Sequence, residues 1–408
     1  MSVRDGTLPR RIAVLGAGPI GLEAALYGAA LGHQVTVWER GEIAAALRSW
    51  GHVAMFSPFW MNTSALGQKR VALPLQAYPT GAEYVAQYLV PLSHDPLLAG
   101  RIVTQARVVA IGRHGLRKGD LLGQASRREH PFRLLIEDAD GEHLEYAEVI
   151  LDCTGTYGTP NAIGAGGIPA PGERWLGERL FRHLPDVLGK DRARFARRRV
   201  LLVGGGLSAA TAALALFALG AAEPTTQVVW SVRHDLALPY KPIANDALPA
   251  RAHLHNEANR IAQLGRGESG PLLYRPATSV DRITAEGHRL RVRLVHHNGS
   301  ATEELFDEVV GLTGYGPDRD LYRELQIHEC YASFGPMRLA ATLLGQSGDC
   351  LAQAQPGPET LKNPEPDYFI LGAKSYGRNS AFLLQLGLGQ IRDAYALLHN
   401  DPALNLYA

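Results

Sequence analysis

The residues best suited to chemistry lie in two glycine-rich turns. Gly16-Ala17-Gly18-Pro19-Ile20-Gly21 follows the apolar run at 12–15 and opens an Ala/Leu-rich stretch reaching residue 31. In a strand–turn–helix unit each position of this GxGxxG has a task. Gly16 permits the tight turn, Gly18 lets the backbone approach a pyrophosphate, and Gly21 lets helix and strand pack closely. Pro19 and Ile20 complete the turn as candidate cofactor contacts, and the helix expected over 22–31 offers unpaired N–H groups and a partial positive charge that suit phosphate oxygens. A second strand, 34–38, ends at Glu39, about 20 residues on, where a carboxylate can accept hydrogen bonds from ribose hydroxyls. Arg40 and Arg48 follow and complete the candidate contacts at this turn. An acid at this strand end disfavours a 2′-phosphate, so the expected ligand is FAD or NAD.

The second turn is Gly204-Gly205-Gly206-Leu207-Ser208-Ala209, a GxGxxA that follows the apolar strand 199–203. A helix is expected from 210 to about 219, then a strand 227–232 that ends in Arg233-His234 rather than an acid. The Arg233 guanidinium and the Ser231 hydroxyl suit a 2′-phosphate, which favours NADPH over NADH.

The elements that must hold these turns repeat in both halves. Residues 132–136 and 144–146 flank Asp140-Gly141, a hairpin signal, and a strand at 147–152 runs into Cys153-Thr154-Gly155. Likewise 290–295 and 304–306 flank Asn298-Gly299, and 307–312 runs into Thr313-Gly314. Each half therefore reads fingerprint, meander, strand and Thr-Gly, an internal duplication of architecture. Hinges are expected at the Gly/Pro-rich stretches 164–172 and 315–320.

Composition narrows the class further. The chain has 408 residues, 41 Lys plus Arg against 40 Asp plus Glu, and 46% hydrophobic residues. Such a neutral, globular composition supplies no general field for nucleic acid or an anionic membrane. Cys153, Cys330 and Cys350 are too few and too scattered for a disulfide framework, a CxxC pair or a zinc site, and no metal is expected. Arg10 and Arg11 precede an apolar stretch, but glycines and Glu23 interrupt it, which argues against an export signal. With no run of about 18 uncharged apolar residues, a cytoplasmic protein with no membrane span is expected.

With these motifs in order, the chain resembles the flavoproteins with two dinucleotide-binding domains. That superfamily includes thioredoxin and glutathione reductases and the flavin-containing monooxygenases. The resemblance covers nearly the whole chain and rests on the first fingerprint with Glu39, Thr154-Gly155, the second fingerprint with Arg233, and Thr313-Gly314. It implies an α/β fold of two doubly wound Rossmann-like domains. An FAD domain would comprise 1–165 and 319–408, with an NADPH domain, 166–318, inserted into it. The strand 368–372 and a helix from about 380 to 398 would complete the flavin site, with Gly372 and Gly314 as further cofactor contacts.

The resemblance also bears on the reaction. A disulfide reductase of this superfamily needs a cysteine pair beside the flavin, and Gly372-Ala373-Lys374 replaces the Gly-Asp its members tend to carry. The monooxygenase branch uses NADPH to reduce FAD, holds a C4a-hydroperoxide and oxygenates an amine or sulfide. It implies a small-molecule substrate and molecular oxygen. One departure is that His183 stands two places late after Trp175-Leu176-Gly177 for that branch's signature. The rivals are hydride transfer to a non-disulfide acceptor such as a quinone, and a non-catalytic redox sensor. Candidate catalytic residues are His52 and Asn62 in the loop 48–63, and Lys374, Tyr376 and Arg378 in the loop before the last helix. The bland alternative for the latter loop is helix capping by Asn379 or Ser380. The aromatic C-terminal tail could dock on a second copy in a homodimer.

Overall fold

Short runs of Val, Ile and Leu make the strands, and Ala/Leu-rich stretches opened by glycine turns make the long helices. The computed structural model describes residues 8–236, 238–243, 246–267, 269–344 and 355–408, so Cys350 lies outside the described residues. The strands before residue 155 are β1 (Arg11–Leu15), β2 (Gln34–Trp38), β3 (Ile102–Val103), β4 (Arg107–Arg113), β5 (Phe132–Asp138), β6 (Gly141–Ala147) and β7 (Val149–Asp152). Those of the middle are β8 (Leu180–Phe181), β9 (Arg199–Val203), β10 (Gln227–Ser231), β11 (Leu272–Arg275), β12 (Thr278–Glu286), β13 (Arg289–His296), β14 (Ala301–Phe306) and β15 (Glu308–Gly311), and β16 (Tyr368–Ile370) closes the series. The helices used below are α1 (Pro19–Ala30), α2 (Leu207–Ala222), α3 (Pro249–Leu264), α4 (Met337–Leu343) and α5 (Leu384–His399).

The chain divides into two units, Met1–Thr159 with Gly316–Ala408, and Pro160–Tyr315. The breaks thus lie at 159/160 and 315/316, where the sequence placed them at 165/166 and 318/319. In the first unit a parallel sheet has the order β16-β7-β1-β2-β3. Alternation along β1 sets its two faces. Ile12 and Val14 pack with Leu22, Leu26, Ile391 and Tyr395 of α1 and α5. Ala13 and Leu15 face the other way, against Phe132, Leu134 and Ile136 of the antiparallel sheet β4-β5-β6. The second unit repeats the plan, with a parallel sheet β11-β10-β9-β15-β8 and an antiparallel meander β12-β13-β14. Both hairpin turns form where Asp140-Gly141 and Asn298-Gly299 predict them, with Gly141 and Gly299 at φ +110° and +81°. The doubly wound α/β reading therefore holds for each unit.

Two helix starts differ from expectation. α1 begins at Pro19, because proline is favoured at the first helical position. α5 begins at Leu384, not near 380, and its N-cap is Leu383 rather than Asn379 or Ser380. The Asn379 side chain instead accepts the Ala381 amide at 2.9 Å and closes a local turn before the helix.

Buried His33 and half-buried His399 join α5 to the strand edge. His33 Nδ1 accepts the Arg10 amide at 3.2 Å, and its Nε2 lies 2.9 Å from His399 Nε2. An accepting Nδ1 puts the His33 proton on Nε2, which donates to His399. Burial, then the neighbouring His399 and Arg10, hold the His33 pKa down to about 4. Because the folded value lies below the unfolded one of about 6.5, the folded state resists a proton that the unfolded chain accepts. Stability present at neutral pH should be lost as pH falls from about 6.5 toward 4. Urea unfolding at pH 7.5 and 5 should show a larger loss in wild type than in His33→Gln; equal losses would disprove it.

Candidate dinucleotide sites

The first site begins where β1 ends. Gly16 turns the chain at φ +92° and donates its amide to the Trp38 carbonyl at 2.8 Å, tying it to the end of β2. A Cβ on Gly21 would lie 1.9 Å from the Gly16 carbonyl oxygen, so only glycine allows this approach of helix and turn. Gly18 is the N-cap of α1 and brings no side chain to the first-turn amides, and a Cβ there would meet nothing within 4 Å. Exposed amides, a helix dipole and open space at one point suit an anionic ligand. Ile20 points back into the unit, where it supports Gly372 and Gly387; Cβ atoms there would approach it to 3.1 Å and 2.5 Å.

Glu39 braces this turn. Its carboxylate accepts the Ala17 amide at 2.7 Å and the Gly41 amide at 2.9 Å, one on each oxygen. A carboxylate has about four acceptor positions, which leaves capacity for ribose hydroxyls. Arg40 lies against Gly158, and Arg48 is an exposed side chain that donates to the Ile43 carbonyl at 3.0 Å.

Beside the turn lies a buried network that the sequence did not reveal. Asp152, at the end of β7, accepts from Thr154 Oγ1 at 2.7 Å, from Tyr368 at 2.8 Å and from Lys374 Nζ at 2.7 Å. Lys374 also donates to Thr154 Oγ1 at 3.0 Å, and both charged side chains are fully buried. Gln390 of α5 accepts the Gly372 amide at 2.8 Å and donates to Ser375 at 2.8 Å, pinning the loop from below. Gly372 and Gly155 take φ +70° and +68°, as backbone turning beside a ligand site requires.

The candidate catalytic residues lie in unlike surroundings. The Lys374 ammonium is sealed against Asp152, with both side chains fully buried. Asn62 is buried, and its Nδ2 donates to the Ser57 and Pro58 carbonyls at 3.1 Å and 2.9 Å and closes its own turn. Tyr376 is buried, yet its hydroxyl has no hydrogen-bond partner among the described residues, and burial pushes its pKa up. His52 is exposed. Arg378 is exposed, with its guanidinium 4.1 Å from the centre of the Phe334 ring, which Arg319 also covers at 4.1 Å.

The second site repeats the first with different braces. Gly204 takes φ +143°, and a Cβ there would lie 2.2 Å from the Leu312 carbonyl oxygen. Gly206 is the N-cap of α2 and, like Gly18, would place a Cβ in open space, with Leu207 and the exposed Ser208 in the first turn. Ala209 is buried under the turn. Trp230 Nε1 donates to the Gly204 carbonyl and the Tyr240 hydroxyl to the Gly206 carbonyl, each at 2.9 Å. Tyr240, found only through the fold, is stacked on His255 at 5.0 Å. Thr313 donates to the Asn161 carbonyl at 2.9 Å, and Gly314 turns at φ +85°. Ser231 is fully buried, in a strand buried on both faces, and its hydroxyl donates to the Thr278 carbonyl at 2.9 Å. Arg233 is exposed, with Nε 3.1 Å from His234 Nε2.

Among the described residues no group of acids, histidines and cysteines could hold a metal, and no helix is long and apolar enough to cross a membrane. Cys153 and Cys330 are free thiols, and burial pushes the Cys153 pKa well up.

The pyridine nucleotide-disulphide oxidoreductase family model matches residues 2–52, the segment of the first fingerprint. No curated protein matches the chain. Similar solved structures include a bacillithiol disulfide reductase from Bacillus cereus, 19% identical, covering 96% of this chain and 98% of its own, with a TM-score of 0.68. An ornithine N-hydroxylase from Kutzneria sp. 744 is 17% identical over 96% of this chain and 99% of its own, with a TM-score of 0.62. Lactococcus lactis thioredoxin reductase is 17% identical over 95% and 99%, with a TM-score of 0.57. The chain has the fold of the two-domain FAD/NAD(P) oxidoreductases. Within that fold the registers Leu15 to Trp38 and Val203 to Ser231 make Val232 the counterpart of Glu39, and Arg233 the counterpart of Arg40. The second site therefore lacks the acid of the first, while each carries an arginine one residue further on.

Proposed function

We propose that this protein is an FAD- and NADPH-dependent oxidoreductase of the monooxygenase type, acting on a small amine or sulfur compound with molecular oxygen. The observation that carries the reading is the pair of glycine-capped helix N-termini, at Gly18 and Gly206, set beside Glu39 in one unit and beside Arg233, with no acid at the Glu39 position, in the other. Gly18 and the first-turn amides of α1 would hold the FAD pyrophosphate, and Glu39 the adenosine ribose. Gly206 and Ser208 would hold the NADPH pyrophosphate, and Arg233 the 2′-phosphate. The flavin supplies a carrier that takes hydride from the nicotinamide and passes electrons to oxygen. The chain's own part is to bind and orient the two nucleotides; Gly372, pinned by Gln390, offers a backbone turn beside the flavin site. Among the described residues the two free thiols, Cys153 after β7 and Cys330, are far apart in sequence and are not the CxxC pair of disulfide exchange. The ornithine N-hydroxylase structure, which holds reduced FAD, NADP+ and L-ornithine, agrees with the oxygenating branch, while the bacillithiol disulfide reductase shares the fold equally.

Purified protein should carry a yellow flavin spectrum and oxidise NADPH faster than NADH. With labelled oxygen and an amine or sulfide panel, one labelled oxygen atom should enter the product. Steady NADPH oxidation that reduces a quinone without label incorporation would overturn the oxygenase reading and favour its dehydrogenase rival. Arg233→Ala should raise KM for NADPH by about tenfold or more, as expected for one charge-assisted phosphate contact of about 1.5–3 kcal/mol, and leave KM for NADH unchanged. An equal rise for both nucleotides would place the 2′-phosphate elsewhere.

A further inference from the structure

We propose that the first unit holds an additional anion-binding cleft, at the end of its sheet opposite the glycine turns, that takes a small organic dianion with an apolar body. The strands β1 and β16 belong to one parallel sheet. Gly16 and Gly372 follow their C-terminal ends, whereas Arg10 and Asp367 precede their N-terminal ends. Around those N-terminal ends lies a cavity of about 610 Å³, within the range that small-molecule sites occupy. A neighbouring cavity of about 430 Å³ shares Arg338, Lys362 and Asn363 with it.

The lining is unbalanced in charge. Arg10, Arg128, Arg338 and Lys362 all face the cleft. Asp367 serves both Arg10, at 3.0 Å, and Arg128, at 3.8 Å. Glu359 serves both Arg338, at 3.4 Å, and Lys362, at 2.5 Å. Among the described residues these four cations share two carboxylates, which leaves the lining with an excess of positive charge. Glu365 also lines the cavity but adds no available negative charge. Its carboxylate is sealed between Arg113 and Arg127, each at 2.8 Å, with all three side chains fully buried.

A polar group points the same way. Asn363 lines both cavities, and its buried Nδ2 has no acceptor among the described residues. An amide donor left unpaired at that depth costs stability unless a ligand or water oxygen meets it. Phe369, Leu397 and Leu398 add apolar lining. Cations, an amide and hydrocarbon lining one cavity fit a phosphate monoester or a dicarboxylate carrying an apolar group. Arg128 and Arg338 keep more than half of their side chains exposed, at 57% and 59%, so their ion pairs add little to folding stability. Substitution there tests binding without dismantling the unit.

The probe is phenyl phosphate, titrated into the protein with FAD and NADP+ at saturating concentration so that the nucleotide sites are filled. Ionic strength is held constant with sodium chloride, and sulfate and benzyl alcohol are run in parallel. Calorimetry should give a saturable 1:1 isotherm for phenyl phosphate, with sulfate at least tenfold weaker and benzyl alcohol silent. Arg338→Glu/Lys362→Glu, and separately Arg128→Ala, should keep the wild-type melting temperature and flavin content. The double variant should weaken phenyl phosphate at least tenfold and Arg128→Ala measurably. An absent isotherm, sulfate binding as tightly as phenyl phosphate, or undiminished affinity in both variants would each overturn the proposal.

Discussion

Gly18→Val will leave the flavin-free chain as stable as wild type and abolish flavin retention. The backbone at Gly18 has φ −80° and ψ −174°, an extended conformation open to any residue, and a Cβ there meets nothing within 4 Å. The empty chain therefore has no reason to resent a larger side chain. A pyrophosphate seated on the first-turn amides of α1 would occupy that same space, and the isopropyl group should weaken FAD binding by about 100-fold or more, roughly 3 kcal/mol. Gly21→Ala should behave in the opposite way. Its Cβ would fall 1.9 Å from the Gly16 carbonyl oxygen, so the helix or the turn must move and the fold itself should lose several kcal/mol. Melting curves of flavin-stripped protein, followed by reconstitution titrations, separate the two effects. Wild-type FAD affinity in Gly18→Val would remove the α1 N-terminus as the flavin site.

Lys374→Met should destabilise the protein by about 3–5 kcal/mol, because it leaves the buried Asp152 carboxylate without its counter-charge. Asp152 would keep the Tyr368 and Thr154 hydroxyls, but these dipoles do not replace an ammonium at 2.7 Å. Converting the partner as well, in Asp152→Asn/Lys374→Met, removes both charges and should restore much of the loss, since the amide oxygen accepts from one hydroxyl and its NH2 donates to the other. Urea unfolding of the two single variants and the double closes the cycle. A single-variant loss below about 1 kcal/mol, or a double variant no better than either single, would show that the pair does not anchor the loop. Activity distinguishes this from catalysis: the double variant should retain turnover where it refolds, as a positioning pair predicts.

The amino-acid sequence by itself determined the two fingerprints, their strands, the hairpins and the doubled plan of the chain. Those signals are local. Glycine spacing in one turn, alternation along one strand and Asn-Gly or Asp-Gly between two strands are complete within a few residues. The unlike charges at Glu39 and Arg233 were legible for the same reason, since each ends a strand read in full. Tertiary structure alone decided what the side chains touch. Lys374 read as a polar loop residue because Asp152, its partner, lies 222 positions away. Only the fold sets the Thr278 carbonyl, 47 residues on, against the Ser231 hydroxyl. Asn62 had its partners close by, in Ser57 and Pro58, but only the fold of that turn shows its amide bonded there. Arg10, Arg338 and Lys362 carry no common motif and meet only because β1 and β16 lie in one sheet while Glu359 gathers the other two cations. Backbone geometry follows from short-range sterics written into consecutive residues, whereas a side chain's partner depends on chain segments that only folding brings together.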